Sequence, residues 1–360
     1  MVRSLEERGF MSMKFRSLSI LLIVFTMAIL AGCNSSKESN EGSSDNAEGG
    51  SAIDGTITGV VQWAAGGAAD TISRAIAPAA EQELGQSIVV TNKAGASGAI
   101  AMQHVLDQKP DGKTLLFAAE NPALYGVLGI SEKGFEDLYP INIYSSAETA
   151  IIVPEDSKYD TMEDLVADAK ARPGKVKMGT TGPGGQPFVV ATMLGEVTGI
   201  EFNLVPYDGD GPIVTAILGN HLEASAVGLT TAIENKKAGK IKILAIMNEE
   251  RLDTLDDVPA ITEGVPEMQK FLPWGPFYGV WVRNDTPDNI KEELVTVFAK
   301  AQESPDFQAF LKQTNGVSLG ISGEEAIQFW KDWQSKTAWV MHDSGEAKVS
   351  PEDLNIEKPE

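Results

Sequence analysis

The stretch Val60-Val61-Gln62-Trp63-Ala64-Ala65-Gly66-Gly67-Ala68-Ala69-Asp70 decides how this chain is read. An apolar run of β type ends in two glycines. An amphipathic run follows at once, with Ile72, Ala75, Ile76, Ala79 and Ala80 on one helical stripe. That is a strand, a tight loop and a helix N-terminus. The first backbone N–H groups of such a helix have no partner within it and sit at the positive end of its dipole. The junction is therefore a seat for an anion. A plain βα turn has the same pattern, so the stretch alone does not establish a ligand. Asp70 reads as the N-cap, and Pro78 predicts a kink or an early stop.

The same alternation continues down the chain. Strands are expected at 57–63, 87–91, 114–118, 141–144 and 150–153, then at 176–179, 202–206, 222–227, 241–247 and 277–282. Between them lie helices, one opened by Thr161-Met162-Glu163-Asp164, which has the form of a capping box with Asp for Glu. Ser322 caps a long amphipathic helix carrying Ala326, Phe329, Trp330 and Trp333, and the acidic C-terminal residues read as frayed. Such alternation implies α/β architecture with parallel sheets covered by helices on both faces. Two series with a return near residue 280 predict two doubly wound lobes. Ligands in such folds bind at the carboxyl ends of strands and between lobes.

A second glycine-rich loop, Thr180-Thr181-Gly182-Pro183-Gly184-Gly185-Gln186-Pro187, also follows a strand, in the second series. Neither loop contains Lys or Arg, so an anion between them is held by neutral donors and water. Neither loop matches the dinucleotide or P-loop fingerprints. Trp63 reads equally as a stacking surface or as a core residue. Asp208 and Asp210, which flank Gly209, have the form of an acid pair or a cation loop, but Tyr207-Asp208-Gly209-Asp210-Gly211 is more often a turn with solvated carboxylates.

The 360 residues are 42% apolar and 22% charged, enough for two sizeable cores, and the formal charge is −22. A chain this acidic does not attract nucleic acid or an acidic membrane through its general field. The single cysteine, Cys33, excludes an internal disulfide framework. His104, His221 and His342 are scattered, and no metal-ligand spacing is present. No catalytic motif, metal site or cofactor is assigned.

Lys14 and Arg16 precede an apolar run from Leu18 to Leu30 and then Leu30-Ala31-Gly32-Cys33. This has the parts of a secretory signal and is too short for a comfortable membrane span. The tetrad resembles a bacterial lipobox, which implies cleavage before Cys33, lipidation there (palmitate included) and a membrane anchor. Residues 34–52 are Ser, Asn, Gly and Glu with few apolar positions, a flexible tether.

Several stretches together resemble the substrate-binding receptors of tripartite tricarboxylate transporters, the Bug family. They include 64–70, Asn92-Lys93-Ala94-Gly95-Ala96-Ser97-Gly98, Pro110-Asp111-Gly112-Lys113-Thr114, Asn121-Pro122-Ala123-Leu124-Tyr125, Gly179 to Gly184 and Val205-Pro206-Tyr207. The resemblance covers most of the chain after residue 55. It implies a type II periplasmic-binding fold, with lobe 1 from 53–148 and 277–360, lobe 2 from 149–276, and a hinge. It implies that a small carboxylate is pinched between the loops, with Trp63, Gly66, Gly67, Ala68 and Asp70 from one lobe. Thr180, Thr181, Gly182 and Gly184 come from the other, with Tyr207 nearby. It also implies a monomeric receptor that serves membrane permease subunits.

Three positions depart from the family pattern. Gly185 stands where a hydroxyl is usual, with Gln186 as a substitute donor, and Asp208 stands where Lys is common. Glu120, expected near the cleft, repels a second carboxylate. These changes favour a monocarboxylate, a smaller diacid or a zwitterion whose amine meets Glu120. The other readings are a surface-tethered enzyme that uses the loops as an oxyanion or phosphate seat, and a receptor that reports to a sensor kinase.

Overall fold

The computed structural model describes residues 51–359; the Cys33 tetrad and most of the tether lie outside them. The chain first builds β1 (Ile57–Val61), α1 (Ala68–Leu84), β2 (Ile88–Asn92), α2 (Ala99–Leu106), β3 (Thr114–Ala119), α3 (Tyr125–Leu128) and β4 (Leu138–Ser146). It then crosses to β5 (Thr149–Pro154), α4 (Met162–Ala171), β6 (Lys177–Thr180), α5 (Gln186–Thr198), β7 (Asn203–Pro206), α6 (Asp210–Leu218), β8 (Ala224–Gly228), α7 (Leu229–Lys237), β9 (Ile241–Ile246) and α8 (Ile261–Gly264). It returns through β10 (Phe277–Arg283), α9 (Asp288–Gln302), α10 (Pro305–Thr314), β11 (Val317–Ile321) and α11 (Gly323–Asp343).

Two sheets result, a six-stranded one ordered β11-β4-β10-β3-β1-β2 and a five-stranded one ordered β7-β6-β8-β5-β9. The expectation of parallel sheets needs correction. β1, β2 and β3 are parallel, as are β6, β7 and β8, but β10 runs antiparallel to β3 and β4, and β5 runs antiparallel to β8 and β9. The antiparallel members flank the two crossings between sheets. β11 was not expected; it adds an antiparallel edge to β4.

The crossings touch. The Ala147 amide donates to the Pro276 carbonyl at 3.1 Å. A β-carbon on Gly275 would lie 2.3 Å from the Ala147 carbonyl oxygen, so the close approach requires glycine. Helix α11 braces the pair: Trp333 Nε1 donates to the Gly275 carbonyl at 2.9 Å, and Trp274 Nε1 donates to Thr337 Oγ1 at 3.0 Å.

Helix α1 begins earlier than expected and does not stop at Pro78. Its N-cap is Gly67, and Asp70 acts from the first turn, accepting the Gly66 amide on Oδ2 at 3.0 Å. Ile72, Ile76 and Ala80 are fully buried, while Pro78 and Arg74 face water. The bond that Pro78 cannot make is therefore lost on the exposed side of the helix, which continues past it. Gly85 ends it in the left-handed region, with φ 72°, and donates to the Glu81 carbonyl.

Ser322 is the N-cap of α11, but its hydroxyl accepts from Asn142 Nδ2 rather than from the helix. The described C-terminal residues are tied down by hydrogen bonds rather than frayed, although 352–355 and 357–359 stay exposed. Lys348 donates to the Val127 carbonyl, and Trp339 Nε1 donates to the Ile356 carbonyl.

Candidate functional site

Four helices meeting near the interlobe gap start on glycine. The N-caps of α1, α5, α6 and α7 are Gly67, Gly185, Gly209 and Gly228, and none offers a side-chain cap. A serine or aspartate at an N-cap would occupy a first-turn amide with its own oxygen. Glycine leaves those amides for another acceptor and lets backbone approach backbone. A β-carbon on Gly228 would lie 2.8 Å from both Ala68 Cβ and the Tyr278 hydroxyl. One on Gly67 would lie 3.2 Å from Asp210 Cβ. Across the gap the Ala64 amide donates to the Asp208 carbonyl at 2.8 Å.

A cavity of about 20 Å³ remains where these ends meet, room for one water-sized body. Its walls come from both lobes. Trp63, Gly67, Ala68, Ala69, Ala119, Glu120, Pro276 and Tyr278 lie on the six-stranded side and at the return strand, and Thr181, Gln186, Pro187 and Asp210 face them. Glu120 follows β3, and its neighbour Asn121 is tied to Gln62 and to the Ser97 carbonyl. Glu120 is 1% exposed, and its Oε2 has no hydrogen-bond partner. Burial pushes its carboxyl up to about 8; its own amide pulls it down, the Asp210 charge pushes it further up and the Gln186 amide pulls it down. Asp210 opens α6 and accepts the Gly228 amide on Oδ2 at 3.2 Å. Burial raises it to about 6, against the pull of the Gly228 and Ala68 amides. The Tyr278 hydroxyl is held well above its ordinary range by burial and then by the Asp210 and Glu120 charges. Thr181 Oγ1 is buried and unpartnered.

Six of the residues expected from sequence share this cavity: Trp63, Gly67, Ala68, Glu120, Thr181 and Gln186. The Gln186 side chain, expected as a substitute donor, is engaged with Thr149 Oγ1. Asp70 is not at the wall. Its carboxylate is held behind the turn by Arg74 Nε at 2.9 Å, Asn92 Nδ2 at 2.8 Å and the Gly66 amide. Gly66 lies outside with φ 82°, against Gly211. Thr180 Oγ1 accepts the Gly182 amide at 3.4 Å, and Gly182 abuts Ser97. Gly184 packs against Leu128 and Leu124. Gly185 is the N-cap of α5, where a β-carbon would strike Thr181 Oγ1. Tyr207 packs on the apolar cluster of the second lobe, its amide bonded to the Thr180 carbonyl at 2.7 Å.

Sequence reading set Asp210 aside as part of a solvated turn and missed Tyr278. The signal for Asp210 was present: Pro206-Tyr207-Asp208-Gly209-Asp210 is a third strand–Gly–helix junction, equivalent to the one at Gly67. Tyr278 lies at the start of the return strand, where nothing local marks it.

Two α/β lobes, crossed twice by the chain and closed around a small cavity, define a periplasmic-binding-protein fold. The chain belongs to the tripartite tricarboxylate transporter family receptors, whose family model matches residues 72–345. It is 31% identical over 220 residues to Protein BugT of Bordetella pertussis, covering 60% of this chain and 67% of that one. It resembles the structure of the periplasmic binding protein BugD with a TM-score of 0.76 and 26% identity, over 82% of this chain and 99% of that one. An R. palustris protein solved with adipate shares the fold at TM-score 0.75 and 23% identity, over 81% and 97% of the two chains. Membership implies an extracytoplasmic location, and no described helix is long and apolar enough to cross a membrane. The family is one of receptors, and BugD is a periplasmic binding protein.

Proposed function

We propose that this protein captures a small carboxylate between two lobes, 53–148 with 277–360 and 149–276, and delivers it to a tripartite permease. The observation that carries this reading is the meeting of the Gly67–Ala68 and Thr181–Gln186 turns, from different sheets, on one cavity. First-turn amides of α1 with the Thr181 hydroxyl would receive the carboxylate; α5 adds the turn's shape rather than a donor, since its Gln186 amide faces Glu120, Pro187 has no N–H and the Phe188 amide is bonded to the Gly185 carbonyl. Gly66, Thr180, Gly182, Gly184 and Gly185 shape those turns, Asp70 holds the first from behind, and Tyr207 supports the second. About 20 Å³ admits no organic acid, so the ligand enters with the lobes parted and biases them toward closure by touching both. The touching crossings at Ala147 and Pro276 are the hinge. Adipate in a fold neighbour supports the ligand class. Lipid at Cys33 would tether the monomeric receptor to the membrane beside its permease. Thermal-shift titration with C2 to C6 mono-, di- and tricarboxylates tests the reading: at least one raises the melting temperature in a saturable way, and no response from any would overturn it.

A further inference from the structure

The receptor reading supplies anion seats but does not explain two acids in the same small space. We propose that Glu120 and Asp210 form a cation seat, and that the ligand is a zwitterion whose ammonium group lies between them rather than a di- or tricarboxylate. This rests on the receptor reading and narrows its ligand.

Three observations carry it. Glu120, which follows β3, is 1% exposed, lines the cavity and leaves Oε2 without a partner. Asp210 comes to the same cavity from the other lobe, already accepting the Gly228 amide. No Lys, Arg or His is among the described residues lining the cavity. A buried carboxylate without a cationic partner is costly, and a cation brought by the ligand removes that cost. A dianion would add two charges beside the Asp210 charge, where water screens poorly. Asp210 also engages an amide that a ligand carboxylate would otherwise use.

An ammonium fits the walls better than a metal ion does. Calcium takes six to eight oxygens and magnesium an octahedron. Of the residues with side-chain oxygens here, Glu120, Asp210, Thr181, Gln186 and Tyr278, only two are carboxylates, Asp210 Oδ2 already accepts the Gly228 amide, and no group of three or more His, Cys, Asp and Glu is gathered for a metal among the described residues. The faces of Trp63 and Tyr278 suit an ammonium that is partly desolvated. The titratable groups facing Glu120 are Asp210 on α6, Tyr278 on β10 and Tyr125 on α3. The elevated Glu120 means that the closed site holds a proton there at pH 7, which the arriving ammonium displaces to solvent.

The test is calorimetry on the mature chain at pH 7, with EDTA present, using matched pairs: L-alanine and propionate, L-aspartate and succinate, L-glutamate and glutarate, extended to the other amino acids and their desamino acids. The expected result is at least one pair whose amino member binds tenfold or more tightly, with proton release on binding. Glu120→Gln should lower that affinity at least tenfold and leave the desamino member unchanged or improved. Asp210→Asn is the second variant should Glu120→Gln fail to fold. Desamino acids binding as well as or better than every amino partner, preference surviving in Glu120→Gln, or binding that EDTA abolishes would each overturn the cation seat while leaving the receptor reading intact. Binding by neither class would overturn both.

Discussion

A β-carbon on Gly211 would lie 2.3 Å from the carbonyl oxygen of Ala65. Ala65 is in the turn after β1 and Gly211 in the first turn of α6, so backbone meets backbone across the gap. Gly211→Ala is expected to block closure without harming the second lobe, because alanine favours a helix over glycine by about 1 kcal/mol. Circular dichroism and the urea midpoint should match or exceed wild type, while ligand affinity falls at least tenfold. Unchanged affinity would show that the gap does not close on its ligand.

The buried acids give stability a distinctive pH dependence. Glu120 has an ordinary value of 4.5 and rises to about 8; Asp210 goes from 3.8 to about 6. Each holds a proton in the closed protein where the solvated group has lost it. The stabilisation is present at low pH and is lost as pH rises through these windows, by up to about 1.4 kcal/mol per pH unit per proton. The ligand-free melting temperature should therefore fall between pH 5 and pH 8. Glu120→Gln should flatten the fall above pH 6, which calorimetry across that range reads.

Tyr159 anchors a polar cluster on the second lobe. Its buried hydroxyl donates to Asp168 Oδ2 at 2.5 Å and accepts from Arg172 Nη2 at 3.2 Å, and Arg172 reaches Glu223 at 2.7 Å. The hydrogen bond from the Arg172 guanidinium holds the Asp168 carboxyl well below its usual range. Tyr159→Phe removes only the hydroxyl and should cost about 1 kcal/mol in urea unfolding. The ion pairs are part-exposed, so most of that cost should persist at high salt.

Much of the fold was legible because its signals are local. The Thr161 capping box forms as read, with the Asp164 amide donating to Thr161 Oγ1 at 3.2 Å. The Gly66-Gly67 and Thr180–Gln186 loops fall at strand ends where periodicity put them. Strand direction was not legible, since alternation is the same in either direction; hence β5 and β10 were misassigned. β11 was hidden because Val317 and Ser318 are exposed and show no apolar face. Asp70 is three residues inside the helix yet binds a turn amide, as an N-cap would, and sequence does not separate these cases. Asp210 read as solvated because its surroundings come from Gly67, Ala68 and Gly228, distant in the chain.

The lipobox resemblance makes a separate prediction. Cys33→Ser expressed in a bacterial host with lipoprotein processing should move the protein from the membrane to the soluble fraction, and intact-mass measurement of the wild type should show acyl chains on Cys33. An unmodified wild-type cysteine would contradict the anchor.

The central claim is that two glycine turns from different lobes close on one small acid. Isothermal titration of wild type and Gly211→Ala with the same carboxylate and amino-acid panel tests it most directly. The expected result is one-to-one binding of at least one compound by wild type, at least tenfold weaker in the variant. No binding by wild type, or equal binding by both, would contradict it.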